Sequence, residues 1–157
     1  MSHQYVEPNA KSVKTLLEML FGDDLAVNDA DYHEVPKPYV ATYIDADEKI
    51  VAMCICDLAL VARAGAAFSM VPADVAEEII GGDELSETFQ SNFYELMNIC
   101  SKLMLSDDSA HLKLDKTLGP DQDTGTLVAA MEDPSRYAFT VDIPGYGPGE
   151  MIYLIAA

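Results

Sequence analysis

The segment from Asp83 to Leu105 constrains the fold most. Read at about 100° per residue, Leu85, Phe89, Phe93, Leu96, Ile99, Cys100 and Leu103 gather on one broad side. A helix with such a face must bury it against another layer. The segments around it are shorter. Val13, Leu16, Leu17, Leu20 and Phe21 follow a helical period that stops at Gly22. Asp23 to Lys37 is acidic and irregular. Tyr39–Ile44 and Ile50–Cys56 read as strands around the turn Asp45–Lys49, the second apolar enough to be central. Leu58 to Ser69 is apolar and Ala-rich; its later part, ending at Phe68, reads as a third strand, with a helix left open. Pro72 starts a helix with Val75, Ile79 and Ile80 on its apolar side, stopped by Gly81-Gly82.

Beyond the long helix, Leu112–Leu118, Thr126–Met131, Tyr137–Ile143 and Met151–Ile155 are short and bounded by Pro, Gly or Asp, so each reads as a strand. The Gly-rich stretch Gly145–Gly149 joins the last two as a turn. The order predicts an α+β two-layer sandwich: an antiparallel or mixed sheet with helices packed on one face, in a single domain over residues 1–157.

Charge narrows the function. The chain has 27 Asp+Glu against 9 Lys+Arg, a formal −18. That excludes condensation on nucleic acid, which needs Lys and Arg to neutralise phosphates. It argues equally against docking on anionic lipid. No apolar run reaches the ~18 residues of a membrane span, and Met1 to Lys14 does not read as a signal, so a cytoplasmic protein is expected. Cys54, Cys56 and Cys100 lie in apolar segments and read as buried, reduced thiols. Zinc would need a second cysteine pair, and no metal site or cofactor is expected in this chain. His3, His33 and His111 are scattered and suggest no Ser-His or Cys-His catalysis. Asp121–Gly125 lacks the rest of a calcium loop and reads as a polar turn.

Opposite the core face of the long helix, Ser91, Glu95, Asn98 and Lys102 align along one polar stripe. Asn98 stands out because Asn is a mediocre helix former at an exposed interior position. The pattern Ser91-x3-Glu95-x2-Asn98, with Pro120 downstream, resembles the signature of the CheC/CheX/FliY chemotaxis phosphatases. The run Gly65–Ser69, Gly81-Gly82 and then Asp83-Glu84-Leu85 follows the family's order. CheC and FliY members typically have two such motifs. Here the N-terminal helix offers Glu18 but has Phe21 at the Asn position, which is the single-motif, CheX-like arrangement. Family members often have Gly and Ala around and after the Asn, where this chain has Met97, Ile99 and Cys100.

The resemblance implies hydrolysis of the aspartyl phosphate of a phosphorylated CheY-type response regulator. In that reading Asn98 and Glu95 are catalytic: Asn98 orients the water and Glu95 pairs with the receiver's Lys. Ser91 and Lys102 flank them as binding residues, and Pro120 shapes the entry to the next strand. The divalent metal belongs to the partner receiver. A homodimer is a further expectation. The alternative is a non-catalytic module that docks a receiver or another signalling partner through the same stripe.

Overall fold

The computed structural model describes residues 4–82 and 84–156. The chain enters helix α1, Ala10–Phe21, through a reciprocal cap. The Asn9 side chain accepts from the Ser12 N–H at 2.8 Å, and the Ser12 hydroxyl accepts from the Asn9 N–H at 3.0 Å. Strand β1, Ala26–Ala30, follows within the segment expected to be irregular. Its sequence AVNDA has little strand character of its own. Its pairing with β5 makes it a strand, from Ala26 opposite Asp142 to Ala30 opposite Ala138. Strands β2 (Tyr39–Ile44) and β3 (Ile50–Cys56) stand where the sequence places them.

Leu58–Phe68 is helix α2 and not the expected third strand. The Asp57 carboxylate caps it, accepting from the Leu60 N–H at 2.8 Å, and the Ala-rich sequence favours helix. Helix α3 covers Ala73–Gly82. Asp83, expected to open the long helix, lies outside the described residues. Helix α4 runs over Glu87–Cys100 from a Ser86 cap and passes into a 3-10 turn, Ser101–Met104. The expected single helix to Leu105 is therefore shorter at both ends.

Strand β4 is Lys113–Leu118. Thr124–Ala130 is helix α5, where the sequence suggested a strand over Thr126–Met131. Asp123 decides this locally: its carboxylate accepts from the Thr126 N–H at 3.1 Å and from the Thr126 hydroxyl at 2.6 Å. Strands β5 (Ser135–Ile143) and β6 (Gly147–Ile155) complete the fold. Gly147 and Gly149 thus belong to a strand, and only the start of the Gly-rich stretch is the turn.

The strands form one antiparallel six-stranded sheet in the order β1-β5-β6-β3-β2-β4. Tyr43, Cys54, Cys56, Met151 and Tyr153 point to one face, where α1, α2 and α4 bury Val13, Leu17, Leu60, Phe89 and Leu96 against them, and α3 adds Ala76 to the same cluster through its packing on α2. The other face is smaller: Val40, Met53, Ile55, Ile152 and Leu154 lie under Val35, Met131 and the Leu127-Val128 side of α5. Burial on both faces explains why β2 and β3 read as continuous apolar runs. The fold is the α+β sandwich expected, with the difference that α5 packs on the second face of the sheet, so the helices are not confined to one face. Among the described residues no helix is long and apolar enough to cross a membrane.

Candidate functional site

Helix α4 lies on the sheet between α2 and the β4 edge, and its rotation is fixed on both flanks. Toward α2, the Asn92 amide donates to the Gly65 carbonyl at 3.1 Å and to the Ser69 hydroxyl at 2.6 Å. The Phe89 ring fills the place a side chain on Gly65 would take; a Cβ there would lie 2.9 Å from it. On the sheet, Phe93 meets Tyr39 edge-on, with ring centroids 6.1 Å apart. These contacts turn Ser91, Glu95 and Asn98 outward.

All three are exposed, and one helical turn separates Glu95 from Asn98, which sets their Cβ atoms about 5–6 Å apart. Among the described residues no hydrogen bond or ion pair engages the side chain of Glu95 or Asn98. Tyr94, 40% exposed, stands beside them. The sequence reading passed over it because it falls between the core face and the polar stripe.

Asn98 sits where α4 changes pitch. The Ser101 N–H donates to the carbonyls of Asn98 and Ile99, and the Ser101 hydroxyl donates to the Asn98 carbonyl at 2.6 Å. A regular α-helix would send that N–H to Met97. The Met97 carbonyl instead accepts the phenol of Tyr43, fully buried on β2, at 2.7 Å. Tyr43 and Ser101 thus set the backbone under Asn98. No spacing rule reveals them, because Tyr43 is distant in sequence and Ser101 looks like an ordinary small residue.

Lys102 departs from the straight stripe. The two 3-10 residues before and at Lys102 rotate it by roughly 40° relative to a continuing α-helix. It borders a hollow shared with α1, together with Lys11, Leu16, Met19 and Leu103. Ser91, Glu95 and Asn98 therefore share one ridge, with Lys102 at the mouth of a neighbouring feature. Pro120 follows β4 and precedes α5, so the strand entry expected of it is a strand exit. It lines a groove with Tyr39, Leu85, Gln90 and Phe93 beside the first half of α4.

Beneath α4 the interior is uncharged. Cys54, Cys56 and Cys100 are buried free thiols, with the first two sulfurs 3.9 Å apart on one face of β3. The contact with Cys54, followed by burial, holds the Cys56 thiol well above its usual range. Burial pushes Cys100 up strongly and does the same to the phenols of Tyr43 and Tyr153. Cys56, Cys100, Tyr43 and Tyr153 are therefore not ionised nucleophiles at neutral pH. Among the described residues no three of His, Cys, Asp and Glu converge as a metal site. The chemistry this surface offers is that of a neutral amide and a carboxylate presented side by side to a partner.

No protein-family model matches the sequence, and no curated protein matches it. Solved structures do match. Thermotoga maritima FliY superposes with a TM-score of 0.64 at 17% identity, over 93% of this chain and 83% of that one. A chain of the FliM-SpeE complex from H. pylori gives 0.63 at 8% identity, over 94% and 81%. The FliM middle domain from Vibrio alginolyticus gives 0.57 at 15% identity, over 94% and 88%. The chain therefore has a CheC-like fold. It is the fold of FliY and of the FliM middle domain, and so of the group its motif resembles.

Proposed function

We propose that this protein is a phosphatase for the aspartyl phosphate of a CheY-type response regulator. The observation that supports this is the ridge itself: Glu95 and Asn98 stand exposed one turn apart, with no partner among the described residues, on a CheC-like fold. In the reaction a water oxygen attacks phosphorus and the bond to the acyl oxygen breaks. Inorganic phosphate leaves and the receiver's carboxylate is restored. The receiver brings the divalent metal that screens the phosphoryl charge.

Asn98 has the narrower task of holding the water in line. Its amide oxygen accepts a hydrogen bond from the water, and its neutrality avoids repelling the phosphoryl oxygens. Glu95 forms an ion pair with the receiver's lysine and so sets the approach. Ser91 extends the contact, and Lys102 lies at its rim. A rigid helix suits this work because misplacing the water by an ångström costs on the order of 100-fold in rate.

The test is the lifetime of the phosphorylated receiver with and without this protein. Asn98→Ala should restore the lifetime by on the order of 100-fold while leaving docking intact. Glu95→Ala should weaken docking itself. Full activity in the Asn98 variant would remove the catalytic assignment.

A second reading is a docking module without hydrolysis. It is favoured by the bulky Met97, Ile99 and Cys100 around the motif Asn, and by the likeness to FliM, a structure of which is a complex with SpeE. Receiver binding that survives alongside an unaltered phosphate lifetime would select it.

A further inference from the structure

The hollow between α1 and the Ser101–Met104 turn shares only Lys102, at its border, with the receiver contact proposed above. Leu16, Met19 and Leu103 give it an apolar floor and rim, and Lys11 and Lys102 stand at its borders. Met19 is 79% exposed and its neighbour Leu20 is 38% exposed. Methionine is adaptable and recurs on surfaces that receive apolar side chains.

The lysines are the second observation. They are two of nine basic residues in a chain with 27 acids. Yet neither has an ion-pair partner among the described residues. Lys14, on the same helix, pairs with Glu18 and donates to the Asp23 and Leu25 carbonyls; Arg63 pairs with Glu77. Lys49, Lys113 and Lys116 also lack ion pairs among the described residues, but they lie away from this hollow, whereas Lys11 on α1 and Lys102 on the facing turn both border it.

We propose that this groove seats a helix of a partner protein whose apolar ridge is bordered by two carboxylates, one for each lysine. The groove runs beside α1, whose 12 residues span about 18 Å, enough for about three turns of a docked helix. Anionic lipid fits worse, because membrane-binding clusters hold about 4–8 basic residues and the whole molecule is acidic. A second copy related by a two-fold axis through the groove would set lysine against lysine. The proposal holds whether or not Asn98 catalyses.

The probe is a blocked synthetic helix of about 14 residues with leucine at helical spacing and two glutamates placed to flank that ridge. Its controls have glutamine or lysine at those two positions. The protein is labelled at its methionine methyl groups, and the Met19 resonance is assigned by its loss in Met19→Leu. Near physiological ionic strength, where the Debye length of about 8 Å screens the distant acids but not contact pairs, the Met19 signal should shift saturably with the glutamate helix. The glutamine helix should bind at least about fivefold more weakly, as should the glutamate helix to K11E/K102E. Both changed positions are exposed, and an unaltered melting temperature checks the fold. An unmoved Met19 signal, equal affinity for the glutamine helix, a shift produced by protein concentration alone, or one produced only by phosphatidylglycerol vesicles would each overturn the proposal.

Discussion

At the scale of single residues, the ridge is a division of labour between side chains that face out and side chains that hold them. Asn98 faces out, while Tyr43 and Ser101 set the backbone beneath it. Two substitutions separate these roles. Asn98→Asp keeps the size and adds a negative charge, so it should abolish dephosphorylation as fully as Asn98→Ala and also weaken docking to the phosphorylated receiver. Binding to the phosphorylated form no weaker than wild type would show that Asn98 does not face the phosphoryl group. Tyr43→Phe removes one oxygen and leaves the Met97 carbonyl buried without its donor. The cost is that of a lost buried hydrogen bond, about 1–3 kcal/mol, read from a urea midpoint. A change within a few tenths of a kcal/mol would mean that the carbonyl finds another partner.

At the scale of elements, legibility followed burial pattern. The α4 core face and its polar stripe were readable because a helix on a sheet keeps one period for several turns. Strands β2 and β3 were readable as apolar runs between turn residues. Helix α2 was not, because it is buried almost all round and its residues therefore show neither helical nor strand alternation. Its cap, Asp57, was the available signal. The same holds for α5, where Asp123 and Thr126 form the cap and the few apolar residues sit on the minor face of the sheet. Strand β1 exists because β5 is there to pair with it, which no local pattern encodes.

Two elements also meet where only glycine fits. A Cβ on Gly149 of β6 would lie 2.4 Å from the Leu60 Cα in the first turn of α2. Asp57 ties the same junction, accepting from the N–H groups of both Leu60 and Glu150. Gly149→Ala must therefore push backbone from backbone, and should destabilise by about 3 kcal/mol, as overpacking of a rigid contact does. A midpoint equal to wild type would show that α2 can shift freely on the sheet.

At the scale of the whole molecule, ionisation acts on stability from within and on association from without. Inside, Cys56, Cys100, Tyr43 and Tyr153 hold their protons more tightly folded than unfolded. Unfolded thiols titrate near 8.5 and phenols near 10. Below about pH 8.5 this contribution to stability is complete, and it is lost as pH climbs from there through the raised folded values. The two thiols alone should remove up to about 3 kcal/mol per pH unit in that window. Denaturation midpoints at about pH 7.5 and 9.5 would read it, and equal midpoints would contradict burial of ionisable thiols. Outside, a formal −18 would, on the function proposed above, meet a receiver that is itself acidic around its phosphorylation site. The encounter should be repulsive at long range, so the association rate should rise several-fold as ionic strength goes from about 0.01 to 0.15 M and the Debye length falls from about 30 to 8 Å. The contact pair proposed for Glu95 would act later and at short range, so it should appear in the dissociation rate instead. An association rate that falls with salt would place attractive charge, not the neutral amide of Asn98, at the centre of recognition.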